Sequence, residues 1–124
     1  MRRWNGWGDD AVVYPLPEAA QRFLAERVGP PTPTRDVVFD QIVAAVPRPR
    51  LPRHSLVNTE PVVRARHARG QSLTDWIALR GGSVAVFPDG VAFPTSRGEV
   101  RDLIGYARET GARLIPYGGG TSVL

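Results

Sequence analysis

The sequence contains no cysteine and no lysine. The first absence excludes disulfide bonds, thiolate metal sites and a cysteine nucleophile. The two histidines, His54 and His67, lack the spacing and companions of a metal cluster, so no metal site is predicted. No apolar run is long enough to span a membrane, and the segment after the basic N-terminus lacks the apolar core of a signal peptide. We therefore expect a cytoplasmic protein, with peripheral membrane association as the alternative.

Because lysine is absent, arginine alone supplies the 16 positive side chains behind the net charge of +4. GC-rich coding explains this preference without any function. A functional explanation has some arginines bind phosphate or carboxylate through their planar fork of donors. Arginines cluster in residues 48–53 and 64–69, but no stacking aromatic side chains are interleaved with them. We predict no nucleic-acid partner.

The N-terminal two thirds of the chain have weak structural signals. Residues 1–16 are rich in tryptophan and glycine and predict an irregular arm. Apolar residues at helical spacing predict helices over residues 17–28 and from about residue 35 to 46. The proline-rich segment 47–52 predicts an extended linker, and residues 60–66 predict a short strand.

The C-terminal third has clearer start and stop signals. Ser72 and Asp75 have the spacing of a helix cap, and that helix should end at Gly81-Gly82. Ser96 and Glu99 form a second capping pattern. The helix that they begin has an apolar face, formed by Val100, Leu103, Ile104 and Ala107. Gly111 is its stop signal. Predicted strands at residues 91–93 and 113–117 flank this helix, which gives a βαβ unit followed by a glycine-rich loop.

The loop Gly118-Gly119-Gly120-Thr121-Ser122 favours anion binding. Glycines allow positive φ angles and a close approach of the backbone to a ligand, and successive N–H groups can converge on phosphate oxygens. The two hydroxyl groups add donors. A flexible hairpin or an interdomain turn is the alternative. Tyr117 either lines the ligand or packs under the loop.

Familiar phosphate-binding motifs do not account for this loop. It lacks the Gly-Lys-Ser/Thr ending of an ATP-binding P-loop. It also lacks the Gly-x-Gly-x-x-Gly pattern that opens a helix in dinucleotide-binding Rossmann domains. The surrounding sequence must therefore identify the ligand.

That surrounding sequence is distinctive. A hydrophobic strand at residues 91–93 precedes Pro94-Thr95-Ser96, a helix entered through Glu99, and the segment 114–122. This order resembles the first βαβ half of the FAD-binding domain in the vanillyl-alcohol-oxidase superfamily. The resemblance implies that FAD is bound by Pro116, Tyr117, Gly118, Gly119, Gly120, Thr121 and Ser122.

A narrower resemblance covers the N-terminal region. Arg3-Trp4-Asn5-Gly6-Trp7-Gly8 and the arginine-led segment 66–80 are similar to the alkyldihydroxyacetonephosphate synthases (alkylglycerone-phosphate synthases) and their bacterial relatives. The weakest match lies between residues 30 and 58. The resemblance implies an α+β fold: residues 1–85 form an N-terminal arm and helical region, and residues 86–124 form the truncated start of a PCMH-type FAD-binding domain.

The function implied is that of the N-terminal part of a longer FAD-dependent enzyme of ether-lipid synthesis. In that family an acyl group on dihydroxyacetone phosphate is exchanged for a fatty alcohol. Catalytic residues are expected beyond Leu124, so none is assigned here. The alternatives are a FAD-linked D-2-hydroxy-acid dehydrogenase of the lactate or glycolate type, and a non-catalytic phosphate- or nucleotide-binding module. Expected partners are FAD and a small-molecule or lipid-like substrate. Trp4 and Trp7 are expected to be packing anchors, and they would lie at the subunit contact if the protein is a homodimer.

Overall fold

The fold was analysed in a computed structural model that describes residues 2–33 and 35–121. Within those ranges the chain forms five helices and one two-stranded antiparallel sheet. In chain order these are α1 (Glu18–Val28), α2 (Phe39–Ala44), β1 (Val57–Asn58), α3 (Pro61–Arg66), α4 (Leu73–Arg80), β2 (Val91–Ala92) and α5 (Arg97–Thr110). No helix in the described part of the chain is both long enough and apolar enough to cross a membrane.

Helix α1 confirms the prediction for residues 17–28, and helix α2 is shorter than predicted. Residues 35–38 are not helical because the backbone N–H of Val37 donates to the carbonyl of Arg80 at 2.9 Å. Asp36 also accepts two hydrogen bonds from the Arg80 guanidinium, at 2.9 and 2.7 Å. These contacts with the end of α4 hold the segment extended, so α2 begins only at Phe39.

The strand predicted for residues 60–66 is wrong, because this segment is helix α3. Pro61 occupies the first turn, where its missing N–H leaves no hydrogen bond unmade. The helical conformation buries Arg64 and Ala65 on one side. Arg64 then donates to the carbonyl oxygens of Pro47 and Pro88, each at 2.6 Å.

The main core lies where α2, α3 and the segment before β2 meet. Ile42, Ala65 and Phe87 are its buried centre, and Trp4 and Phe39 are among the partly buried residues packed against it. Helices α2 and α3 are each only six residues long and would not be stable alone. The burial of apolar area in this core therefore contributes more to their stability than their own helical hydrogen bonds do.

Helices α4 and α5 form as predicted from their caps. Ser72 Oγ accepts from the N–H of Asp75 at 3.2 Å, and Trp76 and Leu79 are buried. Ser96 Oγ accepts from the N–H of Glu99 at 3.2 Å. The Glu99 carboxylate accepts from the backbone N–H and the hydroxyl of Thr95, which lowers its pKa below the ordinary value.

The predicted βαβ unit is only partly present among the described residues. Its first strand is β2, which pairs antiparallel with β1, so that Val57 lies opposite Ala92. Its helix is α5, which buries Leu103 and Ala107 and ends at Gly111 with a φ of 70°. Residues 113–117 form no strand, because a strand requires hydrogen bonds to a neighbouring strand and the described residues provide none. The division into residues 1–85 and 86–124 stays a prediction.

Candidate phosphate-binding loop

The candidate site is the glycine loop, which we define as residues 118–121 and which follows the extended segment after α5. Gly118 and Gly119 are exposed, whereas Gly120 is half-buried. The structure places the four residues of the glycine loop and the preceding Tyr117, five of the seven predicted site residues, next to one another. A sixth, Pro116, precedes them and lines a neighbouring apolar cleft. The predicted site residue Ser122 lies outside the described residues.

Gly120 is the glycine whose conformation the loop requires. Its φ is +71°, in the left-handed region that favours glycine. A Cβ at this position would overlap the ring of Tyr117 and would lie 3.2 Å from Cγ of Gln71. The carbonyl oxygen of Gly120 also accepts a hydrogen bond from the backbone N–H of Gln71. The loop is therefore attached at Gly120 to the segment that precedes α4.

Gly118 and Gly119 are glycines in open space. Neither has a positive φ. A Cβ on Gly118 would meet no other atom within 4 Å, and one on Gly119 would meet only Cγ2 of Thr121 at 3.7 Å. Fold packing therefore does not account for the absence of side chains at these two positions. The predicted approach of a ligand to the backbone would account for it.

The loop presents unused backbone donors. The N–H groups of residues 118–121 donate to no acceptor in the described part of the chain. Three of these four consecutive residues are exposed, so their N–H groups remain available to an anion.

Tyr117 packs under the loop. Its Oη donates to the carbonyl oxygen of Arg69 at 3.1 Å and accepts from Nη2 of Arg2 at 3.4 Å. Its ring meets the imidazole of His67 edge-on, with 4.9 Å between centroids. These contacts give the side chain a supporting position under the loop. Its contact with a bound ligand stays a prediction.

A second loop lies against the first, and sequence reasoning did not foresee it. Residues 2–9, which we call the tryptophan loop, are closed by an antiparallel bridge between Arg2 and Asp9. Trp4 packs on Phe39 with 5.3 Å between ring centroids, and Trp7 packs edge-on against Trp76 at 4.4 Å. Trp4 is thus a packing anchor as predicted, whereas the side of Trp7 not facing Trp76 remains open, since this residue is 74% exposed.

The tryptophan loop and the glycine loop enclose a cleft of about 190 Å³, the interloop cleft. Its lining combines the open part of the glycine loop with a cationic side chain and an exposed indole. The residues that line it are Arg2, Gly6, Trp7, Gly8, Gln71, Gly119 and Thr121.

Near the glycine loop lie an apolar cleft and two histidines that already have hydrogen-bond partners. A cleft of about 330 Å³ lies between α5 and β2, where Leu103 is buried and Ile104 and Ile115 are exposed. His54 accepts from the N–H of Leu56, and His67 lies 2.8 Å from the carbonyl of Val63. The described residues contain no group of three or more histidine, aspartate or glutamate side chains that could hold a metal ion.

Three curated proteins resemble this chain, all of them called alkyldihydroxyacetonephosphate synthase. The protein from Caenorhabditis elegans is 36% identical over 66 residues, which are 53% of this chain, and that from Dictyostelium discoideum is 35% identical over 65 residues, or 52%. The protein from Trypanosoma brucei brucei is 22% identical over an alignment that spans 98% of this chain. The matches cover 11%, 11% and 25% of those relatives, so this chain spans a small part of their length. No family model matches the sequence.

Solved structures of alkyldihydroxyacetonephosphate synthase, in space groups P1 and P212121, have the same fold over this region. Both superpose with a TM-score of 0.73 and 23% sequence identity. Each match covers 99% of this chain, and 29% or 28% of the solved chain. The described arrangement of helices and loops is therefore the fold of the matching part of those enzymes.

Proposed function

We propose that this chain is the N-terminal part of a FAD-dependent enzyme similar to alkyldihydroxyacetonephosphate synthase. The observation that carries the proposal is the glycine loop, whose exposed backbone donors are free of any described acceptor. The fold shared with the solved synthases over 99% of the chain supports it. The matches of 36% and 35% identity support the synthase over the 2-hydroxy-acid dehydrogenase and over a binding module without catalysis.

In this proposal the loop holds the pyrophosphate of FAD. The N–H groups of residues 118–121 would donate to its oxygens, with the Thr121 hydroxyl as a further donor. Gly120, through its positive φ, and Tyr117, through its packing under the loop, would hold the loop backbone in the binding conformation. When bound, FAD would supply an electron-accepting ring system for the reaction. Residues that act on the substrate would lie in the remainder of the enzyme, since this chain spans only 11–25% of its relatives.

The same proposal accounts for the missing second strand of the predicted βαβ unit. Residues 113–117 would pair with further strands of a PCMH-type FAD-binding domain and so complete the βαβ unit around α5. The exposed side chains of Ile104 and Ile115 would then be covered. The expected substrate is lipid-like: acyl-dihydroxyacetone phosphate, whose acyl group is exchanged for a long-chain alcohol.

The proposal is tested on the purified full-length enzyme. We expect the visible spectrum of an oxidised flavin, and formation of the alkyl ether from acyl-dihydroxyacetone phosphate and a long-chain alcohol without an external electron acceptor. The same protein stripped of flavin is the control and should form no ether. Rapid bleaching of the flavin by D-lactate or D-glycolate, with no ether product, would instead establish a dehydrogenase. A full-length protein without flavin would refute both.

A further inference from the structure

We infer that Arg2 in the tryptophan loop is a phosphate-binding residue, so that the interloop cleft receives the pyrophosphate between Arg2 and the glycine loop. This inference rests on the proposed function, because it assumes that the anion in the loop belongs to FAD. The inference adds Arg2 to the predicted anion site, although Arg2 lies 115 positions before Tyr117 in the sequence.

The first observation is the position of Arg2. Arg2 lines the interloop cleft together with Gly119 and Thr121, and its guanidinium reaches Tyr117 Oη beside the glycine loop. Its backbone is fixed by the bridge to Asp9 and by a hydrogen bond of 2.8 Å from Nη1 of Arg66 to its carbonyl oxygen. An anion held by the glycine-loop amides would therefore have a cationic residue lining the same cleft.

The second observation is that Arg2 forms no ion pair with a carboxylate within the described ranges, whereas other arginines near it do. Arg66 lies 3.9 Å from a carboxylate oxygen of Asp10, and Arg69 lies 3.9 Å from one of Asp75. Within the described ranges, the Arg2 guanidinium contacts no carboxylate and makes one long hydrogen bond, to Tyr117 Oη.

This makes Arg2 suited to phosphate. A guanidinium has five N–H donors in a fork that matches two oxygens of a phosphate group. Only one of these donors is used, at 3.4 Å to a neutral phenol, so the fork can turn to an anion without breaking an ion pair. Backbone amides carry only partial charges, and a full positive charge would balance the doubly charged pyrophosphate better.

Tyr117 acts as a positioning residue for Arg2. Its Oη holds the Arg2 side chain on one side and the Arg69 carbonyl on the other. The phenol therefore places the guanidinium beside the loop before any ligand arrives, which reduces the entropy lost on binding.

The test measures the affinity of full-length, flavin-free protein for FAD. Arg2→Met should raise the Kd for FAD about 5- to 50-fold at low salt, as expected for loss of a charge-assisted contact that is partly open to solvent. The difference should shrink at high salt, because an exposed ionic contact is screened. Arg2→Lys should restore part of the affinity. Tyr117→Phe should raise the Kd about 2- to 10-fold, because it removes the long hydrogen bond that positions Arg2 but no group that would itself contact the anion.

The matched control is Arg22→Met, which removes an exposed arginine of α1 and should leave the Kd unchanged. The melting temperature of each flavin-free variant separates binding from folding. An Arg2→Met protein with wild-type affinity would overturn the inference. A loss of affinity that persists at high salt with a lowered melting temperature would also overturn it, because Arg2 would then only stabilise the fold. A wild-type protein that does not bind FAD would instead refute the proposed function.

Discussion

Nε of Arg64 donates a hydrogen bond of 2.6 Å to the carbonyl oxygen of Pro88, 24 residues further along the chain. Nη1 of the same guanidinium donates to the carbonyl oxygen of Pro47 at 2.6 Å, and the residue is only 1% exposed. Its Nη2 is buried without a hydrogen-bond partner in the described part of the chain. One buried side chain therefore joins the segment after α2, helix α3 and the turn before β2.

Replacement of Arg64 by methionine should destabilise the protein. Methionine fills part of the space but leaves the carbonyl oxygens of Pro47 and Pro88 without the guanidinium donors, while it also relieves the burial of a charge. We expect the free energy of unfolding to fall by about 2–4 kcal/mol. Urea unfolding followed by circular dichroism measures it, with Arg22→Met as the control within about 0.5 kcal/mol of wild type. Unchanged stability would mean that burying the charge costs as much as its hydrogen bonds contribute.

The ion pair between Arg50 and Asp89 should make stability depend on acid pH. Three hydrogen bonds of 2.7 to 3.2 Å from the Arg50 guanidinium lower the pKa of Asp89, and the charge of Arg64 lowers it further. Because the folded pKa lies below the unfolded value of about 3.9, this stabilisation is present above that pH. It is lost as the pH falls through the folded pKa.

Asp89→Asn is the corresponding variant. It should be less stable than wild type at neutral pH, and this difference should disappear in strong acid, where the wild-type carboxyl is also neutral. Unfolding free energies measured from pH 7 to pH 2 give the comparison. Asp102→Asn, at an exposed position of α5, is the control. A constant difference between Asp89→Asn and wild type across the whole range would show that the carboxylate charge is not what stabilises the fold.

Removal of the Ser72 hydroxyl should weaken helix α4. Ser72 Oγ accepts from the N–H of Asp75 at 3.2 Å and donates to its carboxylate at 2.6 Å. Loss of such an N-cap lowers stability by about 1 kcal/mol. Thermal unfolding of Ser72→Ala checks this value beside Ser55→Ala, whose exposed hydroxyl makes no hydrogen bond within the described ranges. Equal melting temperatures for the two variants would argue against the cap.

Gly120→Ala should damage the glycine loop more than Gly119→Ala does. The alanine Cβ at position 120 would be strained at a φ of +71° and would overlap Tyr117, whereas position 119 has neither restriction. A loss of about 1–3 kcal/mol is expected for Gly120→Ala and little change for Gly119→Ala. Chemical unfolding of both variants measures the difference. If the Gly119 variant proved the less stable one, the described loop conformation would be wrong.

The parts of the fold that the sequence predicts correctly are local. The caps at Ser72 and Ser96 and the stop at Gly111 depend on residues three or four positions apart, or on a single glycine, so their spacing is visible in one dimension. The same holds for the run of glycines in the loop, although which glycine needs a positive φ could not be read from it.

The parts that the sequence predicts poorly depend on distant contacts. Residues 60–66 have β-branched side chains, yet they are helical because Arg64 reaches carbonyl oxygens 17 and 24 residues away. The helix predicted from residue 35 is shortened by contacts with Arg80, 44 residues from Asp36. The packing of the tryptophan loop beside the glycine loop brings together segments that lie more than 100 residues apart in the sequence. No local pattern encodes such contacts.

The most direct test of the account is the flavin content of full-length Gly119→Val. Because Gly119 has no positive φ and faces open space, valine should be accommodated by the fold, while its side chain occupies the region where phosphate oxygens approach the loop. Gly105→Val is the matched control, since a Cβ there also meets nothing within 4 Å. With circular dichroism to confirm the fold, Gly119→Val should raise the Kd for FAD by about one to four orders of magnitude, from the loss of one or two charge-assisted contacts. Wild-type flavin content and affinity in Gly119→Val would show that the loop is only a turn, and would contradict the proposed cofactor site.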